Sequence, residues 1–332
     1  MTKCLVTKLG GSVNTDKLLK LGEMRIEFNS VSAPSNKTQG ITLQSAKPIT
    51  LKIVGNGYFT DKTLTENKGN TLSILPNSMT YIYVSNGDFY ISIPDKYSLT
   101  ILSLFAEESG SDNSVKNKTI YLDQIEYSTL LTILRISSEN VIGDIDSLKN
   151  LTSLTALNMS NLENVNGDID SLKNLSSLRT LQMAGSNLTG DIASLKALTS
   201  LGTLMSTGLR GDVSALKPLT SLKTLWLKNG SFYGDCAALS SVLSFISFRT
   251  NTGKPSTLTW SERPSTSCIM SLEGQPKMDN IDKMLQDQAK CQTPSTAPSV
   301  KIIDVIGTRT SASDAAVQTL QSKGYTVSIT PA

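Results

Sequence analysis

The sequence predicts a multidomain α+β chain with a β-rich N-terminal domain, a central solenoid of stacked repeats and a small C-terminal βαβ unit. Three observations predict it. Apolar runs alternating with polar residues fill residues 1–117. A Gly-Asp pair recurs at Gly143, Gly167, Gly190, Gly211 and Gly234, at steps of 21 to 24 residues. Beyond the Pro/Ser/Thr stretch QTPSTAPS, residues 299–332 read strand, helix, strand. The corresponding division is 1–117, 118–292 and 299–332.

In the first region the runs are Cys4–Leu9, Met24–Phe28, Ile41–Leu43, Ile49–Val54, Thr71–Leu75, Tyr81–Val84, Phe89–Ile93 and Leu99–Phe105. Short alternating runs separated by Gly and Asn turns fit a sandwich or a small barrel. YIYVS-NG-DFYISI is the best hairpin signal, because Asn-Gly suits a two-residue turn between alternating strands.

In the second region one frame returns around each Gly-Asp pair. Leu175, Leu178, Leu181, Met183, Leu188, Ile192 and Leu195 form one copy, and Leu151, Leu154, Leu157, Met159, Ile169 and Leu172 the copy before it. This L-x-x-L-x-x-L-x-L frame with an Asn- and Gly-containing turn is that of a leucine-rich repeat. A single coil cannot bury its own apolar face, so neighbours must stack. Gly permits the tight turn and Asp caps the short helical segment that follows. Lys149, Lys173, Lys196 and Lys217 fall at the ends of those segments, where a cation suits the helix dipole. A calcium ladder on the stacked carboxylates is disfavoured, since one carboxylate per coil supplies too few oxygens.

In leucine-rich-repeat proteins the residues between the strand leucines face the concave surface. That resemblance implies a ladder of Arg135, Asn158, Gln182, Met205 and Trp226, flanked by Ala156, Thr180, Thr203 and Thr224 on one side and Ser160, Ala184 and Lys228 on the other. An exposed Trp226 beside Met205 is the feature most like a binding hot spot. The alternative is that the C-terminal flank or a neighbouring subunit covers it. Beyond the array, Phe245–Phe248 keeps the strand register, Ser256–Trp260 suggests a further strand, and MDNIDKMLQDQAKC has the spacing of a capping helix.

Composition argues against chemistry. The chain has 332 residues and no histidine, which removes triads, imidazole bases and most zinc sites. Nucleotide and hydrolase loop motifs are missing, and no catalytic, cofactor or metal residue is assigned. A net charge of +3 gives little reason for nucleic-acid binding, and no run is long enough to span a membrane. The N-terminal MTKCLVTKLGGSVN has too short an apolar run for a signal peptide. Cys4, Cys236, Cys268 and Cys291 form no Cys-x-x-Cys pair; they read as buried thiols, with a Cys268–Cys291 disulfide as the alternative.

The array NLTSLTALNMSNLENVNGDIDSLKNLSSLRTLQMAGSNLTGDI resembles bacterial leucine-rich repeats. The segments CLVTKLGGSVNTDKLLKLGEMRI, MDNIDKMLQDQAKCQ and GTRTSASDAAVQTLQSKGYTVSIT resemble modules in virion proteins of crAss-like phages of Bacteroides. With the array they cover about half the chain. The resemblance implies a virion structural protein, a head or tail fibre or a capsid decoration. It implies synthesis in the bacterial cytoplasm, other virion proteins as partners, a homotrimer, and a host surface glycan or protein as ligand. The competing expectation is an intracellular leucine-rich-repeat scaffold binding a phage or host protein.

Overall fold

The computed structural model describes residues 24–31, 39–55, 58–59, 71–77, 80–85, 87–106, 118–137, 141–160, 163–185, 187–239, 245–250, 256–261, 269–291 and 301–332. The Cys4–Leu9 run and Cys268 lie outside them.

Strands β1 (Met24–Val31), β2 (Gln39–Ser45), β3 (Ile49–Gly55), β4 (Tyr58–Phe59), β5 (Thr71–Ile74), β6 (Thr80–Ser85), β7 (Gly87–Ile93) and β8 (Leu99–Ala106) form two antiparallel sets. One runs β1-β7-β3-β5 and the other β8-β2-β6-β4, so successive strands alternate between sheets. Met24, Leu51 and Ile91 from the first set share a core with Leu43 and Leu102 from the second. The hairpin expected at Asn86-Gly87 does not form. β6 pairs with β2 and β4, whereas β7 lies between β1 and β3. Local turn chemistry favours a hairpin, but both edges of each strand are taken by partners distant in sequence.

The same two sheets run on into the repeats. β8 pairs in parallel with β10 (Ile133–Ser137), setting Leu102 beside Leu134. β9 (Lys118–Tyr121) pairs antiparallel with β1 and parallel with β11 (Val141–Asp144). The antiparallel layers therefore cover the first edge of the solenoid, an edge that would otherwise expose unpaired backbone groups.

Within the solenoid, β12 (Ala156–Ser160), β14 (Thr180–Met183), β16 (Thr203–Thr207) and the first half of β18 (Thr224–Asp235) stack in parallel. Their leucines Leu157, Leu181, Leu204 and Leu225 are fully buried. On the opposite side stand β13 (Val165–Asp168), β15 (Asn187–Thr189), β17 (Arg210–Asp212) and the second half of β18. After each comes a one-turn 3-10 helix.

The Gly-Asp pair is explained on both counts. Asp144, Asp168, Asp191 and Asp212 each accept a hydrogen bond at 2.8 Å from the backbone N–H two residues on, which caps the 3-10 turn. Gly167 and Gly190 have φ of +118° and +117°, and a Cβ on either would overlap the Asp carboxylate of the coil before. One coil's glycine thus makes room for its neighbour's cap. The lysines act less through the helix dipole than expected: Lys149 and Lys173 pair at 2.7 Å with Asp146 and Asp170, at exposed sites where such pairs contribute little.

The stack continues through β19 (Phe245–Thr250) and β21 (Ile269–Glu273) on one side, and β20 (Thr257–Thr259) and β22 (Lys277–Met278) on the other. Helix α1 (Ile281–Ala289) follows, shorter than the expected segment because Met278 belongs to β22. Then come β23 (Ile302–Ile306), α2 (Asp314–Ser322) and β24 (Thr326–Thr330). β23 pairs in parallel with both β21 and β22, closing the two sides of the last coil, and β24 pairs in parallel with β23.

Polar contacts lock this end together. Asp282 accepts from Thr310 N–H at 3.0 Å and from Ser313 Oγ at 2.5 Å. Gln288 Nε2 donates to Tyr325 Oη at 3.0 Å. Trp260, 1% exposed, donates its Nε1–H to Asp287 at 3.2 Å, and Lys283 meets the same carboxylate at 2.7 Å.

Candidate binding surface

The parallel register places Arg135, Asn158, Gln182, Met205 and Trp226 in one row across β10, β12, β14, β16 and β18. They point away from the core because the buried residues on either side of each, such as Leu157 and Met159 around Asn158, point into it. In register Ser103 continues the row at one end, and Ser247 and Ser271 at the other, where both serines are buried. Ala156, Thr180, Thr203 and Thr224 form the neighbouring row.

The predicted residues fall into three groups. Asn158 Nδ2 donates to Gln182 Oε1 at 2.7 Å, and Gln182 Nε2 reaches Met205 Sδ at 3.5 Å. Lys228 sets its ammonium 4.0 Å from the Trp226 ring centroid, within cation–π range. Arg135 is exposed and stands apart, four strand spacings or about 19 Å from Trp226. Trp226, for which exposure and cover by the C-terminal flank or a neighbouring subunit were both open, is half-buried, with Lys228 beside its ring. The other tryptophan, Trp260, is in the core.

Arg249 and Glu273 were not anticipated. They continue the row that starts at Thr207 and Lys228. Extending the Phe245–Phe248 register by one residue would have found Arg249. Two cations therefore stand directly opposite each other on adjacent strands, a repulsive arrangement. Arg249 is partly compensated by Glu273 at 3.6 Å. Burial pushes the Lys228 ammonium below its ordinary value, the Arg249 charge lowers it further, and Glu273 opposes both.

A separate apolar pair, also unanticipated, lies on the other side of the stack. Tyr121 and Ile142, 37% and 40% exposed, are cross-strand neighbours on β9 and β11. Among the described residues no group of three or more Cys, Asp or Glu could hold a metal ion, and no helix is long and apolar enough to cross a membrane. Each Gly-Asp carboxylate gives its Oδ1 to a backbone N–H. The buried Cys236 thiol is pushed up to about 12 by burial, with Asp235 adding to it, and is inert as a nucleophile. Cys291 is buried too; whether it pairs with Cys268 lies outside the described residues.

The fold defines a leucine-rich-repeat solenoid with β-rich ends. No protein-family model and no curated protein matches the chain. Solved structures do. The ectodomain of the Arabidopsis thaliana receptor kinase GASSHO1/SCHENGEN3, a leucine-rich-repeat protein, matches 63% of this chain at 18% identity and a TM-score of 0.42. The Arabidopsis receptor kinase HAESA matches 59% at 21% identity and a TM-score of 0.42. An internalin, inlF, from Listeria monocytogenes matches 71% at 16% identity and a TM-score of 0.35. The chain spans 25%, 34% and 68% of those three proteins respectively.

Proposed function

We propose that this protein is a binding protein without catalytic activity, whose ladder face takes a protein or a host-surface ligand. One observation carries the reading: a half-buried Trp226 sits in register between Met205 and Ser247, with a cation over its ring and amides along the same row. Tryptophan in such a setting offers large apolar area with little side-chain freedom to lose, which is the chemistry of interface hot spots.

We place the protein on a phage virion, as a head or tail fibre or decoration component, with other virion proteins and further copies of itself as partners. Its support is the resemblance of the terminal segments. In this reading the N-terminal sheets, taken as a sandwich, attach, and the repeats are displayed. Mass spectrometry of purified particles detects the chain in multiple copies if this is right. Recovery only from infected cytosol, bound to a phage or host protein, would establish the intracellular scaffold instead. For the face itself, Trp226→Ala lowers particle adsorption by at least about tenfold while assembly is unchanged. Unchanged adsorption by that variant would remove the ladder face from the account.

A further inference from the structure

The C-terminal end of the stack carries an edge that is not finished. β24 is bonded to β23 on one side, and among the described residues no strand lies on the other. The Thr326 N–H donates to Lys301 O at 2.9 Å and the Thr330 carbonyl accepts from Gly307 N–H at 2.9 Å, both towards β23. Backbone groups alternate along a strand, so the N–H and C=O of Val327 and Ile329 point out of the free edge. Natural edge strands are protected by charge, proline or a bulge. This strand reads Thr-Val-Ser-Ile-Thr and has none within it.

The layer above that edge is also incomplete. A cavity of about 420 Å³ opens between α2 and β24, walled by Val317, Val327, Ile329 and Pro331, with Arg309 at its rim. Val317, Val327 and Ile329 are only partly buried, although they pack against the core. Arg309 forms an ion pair with Asp314, yet its Nε is buried without a hydrogen-bond partner.

We propose that this edge pairs with β24 of a second copy, antiparallel and centred on Ser328. The strand is its own complement. About Ser328, Val327 faces the partner's Ile329 and Thr326 faces the partner's Thr330, so like chemistry meets like on each face. The outward N–H and C=O of Val327 then meet those of the partner's Ile329, the bonded arrangement of an antiparallel pair, while Ser328 falls at a non-bonded position on the two-fold axis. The strand carries no charge; on β23 Asp304 stands beside Ser328, so in the joined sheet the two Asp304 residues lie three strand spacings or about 14 Å apart, beyond the screening length at physiological salt, and identical edges approach without strong repulsion. The two α2 helices lie on the same face of the joined sheet and close the half-open layer, bringing each Val317 towards its symmetry mate. The interface does not involve the ladder face. A five-residue strand alone buries less than the ~1,000 Å² of a stable interface, so the α2 surface must contribute and the affinity is micromolar rather than nanomolar.

The test uses the full chain. Sedimentation equilibrium from about 1 to 200 µM should give a monomer–dimer equilibrium. Residues opposite each other at a non-bonded position have Cα atoms about 4.5 Å apart, close enough for a disulfide. Ser328→Cys is therefore expected to form a covalent dimer under mild oxidation. Thr326→Cys, equally exposed but displaced from its own symmetry mate by about 13 Å along the strand, should remain at the wild-type background set by the native thiols. Ile329→Pro, which removes an outward donor the monomer does not use, should weaken dimerisation by at least about tenfold with the circular dichroism unchanged. A monomer throughout the range, a trimer, or a dimer in which Ser328→Cys cross-links no better than Thr326→Cys would overturn the proposal.

Discussion

The N-terminal layers and the solenoid obey one topological rule by different means. In both, each successive strand crosses to the opposite sheet. In the solenoid the crossing is repeated with parallel strands, and the five coils from β10 to β18 each carry a Gly-Asp pair and a 3-10 turn. In the N-terminal layers the strands are antiparallel and no motif marks the crossing. The first arrangement is held by identical local devices, the second by pairings between strands distant in sequence. The two share continuous sheets at β8–β10 and β9–β11.

Equal burial should give equal cost on either side of that junction. Leu181 in the repeats and Leu51 in the N-terminal layers are both 0% exposed. Leu181→Ala and Leu51→Ala are each expected to cost about 2–5 kcal/mol in urea unfolding. A much smaller loss for Leu51→Ala would show that the N-terminal core is loosely packed.

The glycine ladder should fail next. Gly190→Ala meets both an unfavourable φ of +117° and the Asp168 carboxylate, and should cost about 1–3 kcal/mol. In an Asp168→Ser background the same substitution should cost less, because the carboxylate is gone and only the backbone strain and the close approach to Ile169 Cγ2 remain. An unchanged cost would mean that the carboxylate is not what the glycine makes room for. Asp168→Ala alone removes a cap and should cost about 1 kcal/mol.

The smallest effect concerns the docked C-terminal unit. Hydrogen bonds from Ser313 and then Thr310 hold the Asp282 carboxyl below its ordinary 3.8, against a slight opposing effect of burial. A depressed folded pKa means that the stabilisation is present above 3.8 and is lost as pH falls through the folded value. Hydrogen-exchange protection of the α2 amides, corrected for the intrinsic rate, should therefore stay constant from pH 8 to about 4 and fall only below. With no histidine in the chain, a transition between about pH 5 and 8 would contradict this.

How much was legible follows the same division. Five copies agreeing in register made the coils, the buried leucines and the row from Arg135 to Trp226 readable, because each position was in effect observed several times. The caps on Asp and the need for Gly were readable for the same reason. The Asn86-Gly87 hairpin was misread because a turn signal reports local preference, whereas partner choice in a two-sheet stack is decided by distant edges. Arg249 was missed because the leucine frame loosens after Leu239. The half-buried state of Trp226 depends on where the Lys228 side chain settles, which spacing does not encode. The open edge of β24 followed only from knowing that β23 turns its other edge to the last coil.

The central claim is that antiparallel layers and repeats are one continuous body presenting one face. Both tryptophans, Trp226 and Trp260, lie beyond the junction, so tryptophan fluorescence reports only on the repeat side. Leu43 lies on β2, which pairs with β8 next to the junction, and is 0% exposed. Tryptophan-detected urea unfolding of Leu43→Ala against wild type tests the claim most directly. A continuous body predicts a single transition whose midpoint falls, for a loss of about 2–5 kcal/mol, as it does for Leu181→Ala. A tryptophan midpoint unmoved by Leu43→Ala, with a separate earlier transition in circular dichroism, would contradict it.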